Sequence, residues 1–321
     1  MIFEKQIIKA YRKMAFTRCD DNGTAYYFSH EDFKGLHRIQ YPFSARAGHK
    51  LMGNIYHYDA PKQDRLIVFD HGFGGGHRSY MKEIERLCRR GFTVFAYDHT
   101  GCMESGGDTA GGMAQSLSDL NDCINAIKAD ARFSGLDISV IGHSWGGFAA
   151  LNITALHPDI SRIVVLSGFL SVNRLINSYF GGIMKCYRGS IMALERKSNP
   201  DFVDYDAVKT LSNTNVSALL IYSDNDHMCK RDASYDVLHS LLDGKDNIRF
   251  LLVKNKGHNP NYTVDAVNYL GEYVKAKGKL LKSKKRNTPE GRAAFVKSYD
   301  FNRMTSQDDF VWSEIFEHLE A

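Results

Sequence analysis

The sequence predicts an α/β protein with a mostly parallel central sheet, helices on both faces and a small helical cap. From about residue 36, short β-rich runs alternate with stretches of helical periodicity, which is typical of parallel strands joined by helical crossovers. Runs such as Arg65–Asp70 are apolar between their ends, as expected of strands that are covered on both faces. The chain of 321 residues is long enough to bury such a sheet.

The elements follow one another in a regular order. Strands are expected at residues 36–46, 50–58, 65–70, 92–97, 137–141, 160–167, 216–223 and 247–253. Helices are expected at residues 79–90, 116–130, 147–156, 232–242 and 263–275. Ser116 and Asp119 have the spacing of a capping signal at the start of the second helix. Functional groups are expected in the loops that follow the strands, because these loops meet at one edge of a parallel sheet.

The interval 169–215 breaks the alternation, because it contains no convincing strand. Its apolar residues fall mostly at helical spacings. We interpret it as a helical cap that is inserted over the site, between two parts of the core at residues 36–168 and 216–278. The alternative interpretation is a pair of helices that completes the fold.

Helical extensions are expected at both ends, at residues 1–35 and 279–321. The first begins with apolar residues interleaved with Lys and Arg, namely Ile2, Phe3, Ile7, Ile8 and Met14. This pattern predicts an amphipathic helix that packs on its own domain or lies on a membrane surface. The second extension ends in another amphipathic pattern, formed by Trp312, Ile315, Phe316 and Leu319. A docking surface for a partner protein at either end is a further alternative, and the oligomeric state does not follow from the sequence.

Composition and charge argue against several classes of function. The net charge of +4 is too diffuse for a nucleic-acid surface, and the dense basic run at residues 277–286 is typical of a solvated helix end. No run reaches the ~18 apolar residues of a membrane span, and the start of the chain lacks the features of a signal peptide. Six dispersed cysteines, none in a CxxC pair, predict reduced thiols and a cytoplasmic location.

The strongest local motif is Gly142-His143-Ser144-Trp145-Gly146, which has the form G-x-S-x-G. A predicted strand precedes it and a predicted helix follows it, which is the context of a nucleophile elbow. The glycines allow a tight turn that holds the Ser144 hydroxyl clear of the sheet. The backbone N–H of Trp145 then lies at a helix N-terminus, where it can stabilise a developing oxyanion.

A serine hydroxyl needs a base, which in turn needs a third group to orient it. The base candidate is His258, which follows the last predicted strand and a glycine. Asp224 and Asp226 both lie just beyond an earlier strand. Asp226 is the preferred acid because it is two residues further into the loop, where it can reach a histidine. Asp224 is then expected to be a turn or capping residue.

The loop at residues 71–77 is rich in glycine and follows the strand Arg65–Asp70. Its backbone can approach a substrate oxygen closely, and the Phe73 N–H is the expected second oxyanion donor. Phosphate binding is a weaker alternative, because the loop lacks the spacing of a P-loop or of a dinucleotide-binding motif. A metal site at His57, His71 and His77 is also weakly supported, since these histidines have no paired carboxylate or fixed spacing.

These motifs together resemble the α/β-hydrolase superfamily, and within it the monoacylglycerol-lipase-like or serine-aminopeptidase-like branch. The resemblance covers residues 36–275. It rests on His71-Gly72-Phe73-Gly74, on Asp98, Gly101 and Ser105, on residues 142–146, on Ser223 to Asp226, and on Gly257-His258. The resemblance implies the α/β-hydrolase fold and places Asp226 at the position of the family's catalytic acid.

Two positions depart from the pattern of that branch. Thr100-Gly101-Cys102-Met103 stands where the family usually has Arg-Gly-His-Gly, and Ser223 replaces the glycine of its acid turn. Neither change touches Ser144, Asp226 or His258. The first borders the expected substrate entrance, so the substrate cannot be transferred from relatives.

The sequence therefore predicts a serine hydrolase that needs neither a metal nor an organic cofactor. Its expected substrate is a small-molecule acyl ester, cleaved as by a carboxylesterase or small lipase, because the cap is apolar and the chain is rich in aromatic residues. Thioesterase and peptidase activities use the same machinery and remain alternatives. An interpretation from another class is a non-catalytic ligand receptor, although such a relative would usually have lost a triad residue.

Overall fold

An eight-stranded sheet lies at the centre of the protein. The computed structural model describes residues 3–62 and 64–321, so that Ile2 of the predicted N-terminal helix lies outside the described residues. The strands lie side by side in the order β1-β2-β4-β3-β5-β6-β7-β8. Their bounds are β1 (His37–Ser44), β2 (Lys50–His57), β3 (Arg65–Asp70), β4 (Thr93–Tyr97), β5 (Asp137–His143), β6 (Arg162–Leu166), β7 (Ser217–Ser223) and β8 (Ile248–Val253).

Six neighbouring strands of the eight pair in parallel. β2 is antiparallel to both β1 and β4, whereas β4, β3, β5, β6, β7 and β8 pair in parallel. β3 lies between β4 and β5. The chain therefore goes from β3 to its neighbour on one side, β4, and then crosses to its neighbour on the other side, β5. A crevice forms outside the carboxyl ends of the strands at such a reversal of strand order, and ligands bind there in open α/β sheets. The mostly parallel sheet predicted from the sequence is confirmed.

Helices cover both faces of this sheet. Their bounds are α1 (Glu4–Ala15), α2 (Met81–Arg89), α3 (Gln115–Ala129), α4 (Trp145–Ile153), α5 (Val172–Tyr179), α6 (Arg188–Ser198), α7 (Ala207–Ser212), α8 (Tyr235–Leu242), α9 (Val264–Lys282), α10 (Pro289–Lys297), α11 (Phe301–Met304) and α12 (Asp309–Glu320). Leu66 and Val68 of β3 face the cluster that contains α3 and α4, whereas Ile67 and Phe69 face the cluster that contains α2 and α12. This alternation follows from the two-residue period of a strand, and it explains why the run is apolar throughout.

The interval 169–215 contains α5, α6, α7 and a 3₁₀ helix at Gly182–Tyr187, with no strand. The capping signal predicted at Ser116 and Asp119 is wrong. α3 begins at Gln115, and the Ser116 hydroxyl donates instead to the backbone oxygen of Trp145 at 3.0 Å. Asp119 accepts a hydrogen bond from Thr100 N at 2.7 Å. Both side chains therefore serve contacts that are distant in sequence.

The terminal helices turn their apolar sides inward. Tyr11 and Ala15 of α1 are buried in the larger core cluster, and Trp312 and Ile315 of α12 are buried in the second cluster. Among the described residues, no helix combines the length and the apolar composition that crossing a bilayer requires. Of the residues that gave the N-terminal helix its amphipathic pattern, Ile7 and Ile8 pack against the core, whereas Phe3 and Met14 are exposed.

Glu83 is a buried acid on the inner side of α2, with 1% of its surface exposed. Its Oε1 accepts a hydrogen bond from Asn261 Nδ2 at 3.0 Å. Burial raises the pKa of Glu83 from 4.5 to about 7. An acid whose pKa is raised by folding is most stabilising in its protonated form, so stability is lost as the pH rises from about 4.5 through 7.

We expect the variant Glu83→Gln to remove this pH dependence. Between pH 5 and pH 8, the free energy of unfolding of the wild type should fall by about 2 kcal/mol relative to that of Glu83→Gln. Urea unfolding of both proteins at the two pH values measures the effect. A difference between the two proteins that stays constant with pH would contradict the prediction.

Candidate active site

The predicted site residues lie at the carboxyl edge of four parallel strands. Phe73 follows β3, Ser144 follows β5, Asp226 follows β7 and His258 follows β8. β5, β6, β7 and β8 are consecutive neighbours in the sheet, and β3 pairs with β5. Loops that are far apart in sequence therefore meet at one edge.

Ser144 occupies a strained turn between β5 and α4. Its backbone angles are φ 56° and ψ −106°, in a region that side-chain-bearing residues rarely adopt. The turn is possible because a Cβ at Gly142 would collide with the backbone oxygen of Gly146, and one at Gly146 with that of Asp70. Strain of this kind costs on the order of 1–3 kcal/mol and persists where surrounding structure enforces it. Here it holds Ser144 at the lining of a cavity.

Asp226 and His258 form a hydrogen-bonded pair. His258 Nδ1 lies 2.8 Å from Asp226 Oδ2, and the other carboxylate oxygen accepts hydrogen bonds from the N–H groups of Met228 at 2.8 Å and Cys229 at 3.0 Å. Asp226 is thus buried with both oxygens engaged. This arrangement fixes the carboxylate, which in turn orients the imidazole.

Asp224 has a different role. Its Oδ1 accepts a hydrogen bond from the backbone N–H of Asn255 at 2.8 Å, so it joins the loop after β7 to the loop after β8. Of the two acidic candidates, only Asp226 contacts His258 among the described residues.

The other ring nitrogen of His258, Nε2, is buried and has no hydrogen-bond partner among the described residues. The ring therefore has an unoccupied acceptor beside the elbow, although no hydrogen bond joins it to Ser144 Oγ. Catalytic hydrogen bonds are often long before substrate binds, and they tighten in the complex.

His143 is a part of the site that the sequence did not single out. Its ring centroid lies 4.9 Å from that of His258, its Nε2 lies 2.8 Å from the His258 carbonyl, and its Nδ1 lies 2.8 Å from the Tyr80 hydroxyl. Burial lowers the pKa of His143 to about 3, so the ring is neutral. Nε2 then donates to the carbonyl, and Nδ1 accepts from the phenol. The only sequence signal for this contact is a histidine at the x position before Ser144.

The loop after β3 packs directly against the elbow. A Cβ at Gly72 would lie 3.4 Å from Ser144 Cβ, and the rings of Phe73 and Trp145 meet edge to face at 4.9 Å. The Tyr80 hydroxyl accepts a hydrogen bond from Gly72 N at 3.0 Å, which ties this loop to the network around His143. Phe73 and Trp145 thus contact each other, and both line the same cavity as Ser144.

The histidines considered for a metal have other partners. His71 Nε2 accepts a hydrogen bond from His99 N at 3.0 Å, His77 Nδ1 lies 2.7 Å from Asp98 Oδ1, and His57 contacts the next carbonyl along the chain. Burial lowers the pKa of His71 to about 3, which leaves this ring neutral. These histidines are thus used in contacts within the fold.

Asp226, Cys229 and His258 are the one group of possible metal ligands found among the described residues, with ligand atoms within 4.8 Å of one another. Two of these groups are already hydrogen-bonded to each other. Burial raises the pKa of Cys229 well above its usual range, so its thiol stays protonated. Since metals bind the thiolate, the arrangement favours the acid–base pair over a metal site.

The cavity above Ser144 has a volume of about 440 Å³. Phe73, Trp145 and Met228 line it, together with residues of the interval 169–215 that include Phe169 and Leu175. None of the described residues that line it carries a formal charge. The space next to the hydroxyl is thus suited to an apolar group.

Comparison with known proteins identifies the family of this chain. The sequence model of the family described as "Serine aminopeptidase, S33" matches residues 61–251, more than half of the chain. The proline iminopeptidase of Saccharolobus solfataricus is 28% identical over 182 residues, which are 51% of this chain and 56% of that protein. RutD of Caulobacter sp. (strain K31), a candidate carbamate hydrolase, is 28% identical over 124 residues, 36% of this chain and 42% of that protein. The chain thus spans about half the length of these curated relatives.

Among solved structures, the esterase Pf2001 of Pyrococcus furiosus superposes with a TM-score of 0.58 and 18% sequence identity. The superposition covers 80% of this chain and 96% of the esterase. At this identity the likeness establishes the fold, which is the α/β-hydrolase fold that the motifs predicted. With its family and fold established, the chain belongs to the serine aminopeptidase, S33, family and has the α/β-hydrolase fold.

Proposed function

We propose that this hydrolase cleaves carboxylic esters with an apolar acyl group, using Ser144, His258 and Asp226 as a catalytic triad. The observation that carries the proposal is the uncharged cavity of about 440 Å³ that is lined by Ser144 itself. The Asp226–His258 pair and the buried, unoccupied Nε2 of His258 support the roles of acid and base.

In the first step, Ser144 Oγ attacks the ester carbonyl carbon while His258 Nε2 takes the hydroxyl proton. The Asp226 carboxylate stabilises the imidazolium that forms. The backbone N–H groups of Phe73 and Trp145 hold the oxyanion of the tetrahedral intermediate. The imidazolium then gives its proton to the leaving alkoxide, and an acyl-enzyme remains on Ser144.

In the second step, His258 removes a proton from water, which attacks the acyl carbonyl through a second tetrahedral intermediate. The intermediate collapses, Ser144 Oγ regains its proton from His258, and the carboxylic acid leaves. We propose that the helices of residues 169–215 act as a cap during both steps, because Phe169, Leu175 and Tyr179 line the cavity.

A peptidase is the alternative that the family description raises. An aminopeptidase must bind the cationic α-amino group of its substrate close to the scissile bond. Among the described residues that line the cavity, none is a carboxylate that could pair with that charge, and an unpaired buried charge is strongly unfavourable. The cavity therefore favours an uncharged acyl group.

The test is the hydrolysis of p-nitrophenyl acetate, butyrate and octanoate by the purified protein, together with labelling by a fluorophosphonate. Proline p-nitroanilide in the same assay serves as the peptidase substrate. We expect ester hydrolysis, covalent labelling and little release of p-nitroaniline.

Efficient cleavage of the anilide with weak esterase activity would instead favour the peptidase. A folded protein that neither labels nor hydrolyses any substrate would favour the non-catalytic receptor and reject the proposed function.

A further inference from the structure

The N-terminal helix α1 forms part of the wall of the cavity that contains Ser144. Ile7, Ala10, Tyr11 and Met14 all line that cavity. Their spacing of i, i+3, i+4 and i+7 places them on one face of the helix. The opposite face is basic and exposed, with Lys5, Lys9, Arg12 and Lys13. α1 thus turns its apolar face to the cavity and its basic face to solvent, although Ala10 and Met14 on the apolar face are also exposed.

A buried hydrogen bond fixes α1 in this position. The Tyr11 hydroxyl donates to Glu195 Oε1 of α6 at 2.6 Å, and the second oxygen of Glu195 accepts from Met113 N at 2.8 Å. Glu195 is fully buried, and burial raises the pKa of its carboxyl group. A buried carboxyl group without partners is strongly destabilising, so Glu195 favours the arrangement that keeps Tyr11 in contact.

The same contacts continue to the nucleophile elbow. The Met113 carbonyl accepts a hydrogen bond from Trp145 Nε1 at 2.8 Å, and Gly112 N donates to the Ala15 carbonyl at the end of α1 at 3.2 Å. Residues 112–113 therefore contact both α1 and Trp145, whose backbone N–H is a proposed oxyanion donor. α1 is part of the framework of the site and not a detached arm.

This wall lies outside the region that the family shares. The family match begins at residue 61, whereas α1 ends at Ala15. The part of the cavity that α1 contributes therefore lies outside the matched region, and it offers a way to set selectivity that the matched motifs do not contain.

We propose that α1 is the wall that limits the acyl-binding pocket, and that Ile7 is a specificity-determining residue for the length of the acyl chain. The inference rests on the proposed function, because it requires an acyl group on Ser144. A group the size of water occupies ~30 Å³ in the liquid. The cavity of about 440 Å³ thus has room for an acyl chain of several carbons.

The experiment compares Ile7→Trp with Lys9→Trp, which places the same new side chain on the exposed face of α1. For each protein, kcat/KM is measured with p-nitrophenyl acetate, octanoate and dodecanoate, and fluorophosphonate labelling reports an assembled site. In Ile7→Trp, the octanoate-to-acetate ratio of kcat/KM should fall by at least about tenfold, since filling a pocket excludes the longer chain. In Lys9→Trp, the ratio should equal that of the wild type.

An unchanged ratio in an Ile7→Trp protein that still labels would overturn the inference. If Ile7→Trp does not fold, Ile7→Ala decides the question. It enlarges the pocket, so the dodecanoate-to-octanoate ratio should rise, and an unchanged ratio would reject the role of α1. A wild-type protein that neither labels nor hydrolyses esters would reject the proposed function itself, which separates that failure from a failure of the inference.

Discussion

Replacing Ser144 with alanine is expected to lower kcat for p-nitrophenyl ester hydrolysis by about 10⁴-fold or more and to abolish fluorophosphonate labelling. Without the hydroxyl, no acyl-enzyme forms, and only binding and the oxyanion donors remain to assist direct attack by water. Steady-state hydrolysis of p-nitrophenyl butyrate and labelling analysed by intact-protein mass measure the two effects.

The matched control is Ser79→Ala, which removes a hydroxyl from the segment after the glycine-rich loop without altering the elbow. Ser79 lies next to Gly75 and is not among the residues that line the cavity. The control should label and hydrolyse like the wild type. Labelling of Ser144→Ala at the wild-type level would show that another residue is the nucleophile.

The variant Asp226→Asn is expected to lower kcat by about 10³–10⁴-fold while the protein remains folded. An amide is nearly the same size as a carboxylate, so the hydrogen bonds from Met228 N and Cys229 N can persist. The neutral amide cannot stabilise an imidazolium, and it can also turn its NH₂ group toward His258 Nδ1, which favours the wrong tautomer. The loss should therefore appear in kcat rather than in thermal stability.

Asp224→Asn is the control for this prediction, since it removes the neighbouring charge from the same loop. Asp224 contacts Asn255 N and not the imidazole, so we expect near wild-type kcat. A larger loss of kcat in Asp224→Asn than in Asp226→Asn would reverse the assignment of the acid.

Most of the sheet could be predicted because its strands carry a local signal. β3 is apolar on both faces, so its bounds at Arg65–Asp70 follow directly from the composition of the run. α9 shows where such signals fail. It continues to Lys282 instead of ending near residue 275, because no glycine or proline directly follows position 275 to mark an end.

The candidate site likewise contains residues that the sequence predicts and contacts that it does not. Ser144, Asp226 and His258 can be proposed from the sequence because each follows a strand within a recognisable motif. The bond from Tyr11 to Glu195 joins residues 184 positions apart, and neither residue lies in a motif. The hydrogen bonds of His143 likewise depend on which side chains the fold brings beside it. Contacts that the tertiary structure creates are not visible in the local sequence pattern. The sequence therefore predicts that α1 is amphipathic, but not that it forms part of the cavity wall.

The position of α12 has a consequence for how the protein is made. Ile67, Phe69 and Ile141, on one side of the sheet, belong to the same cluster as Trp312 and Ile315 of α12. On a ribosome, the strands emerge long before residues 309–320. Until residues 309–320 have been synthesised, only the earlier elements such as α2 cover that side of the nascent sheet, which leaves part of it as an aggregation-prone surface during synthesis.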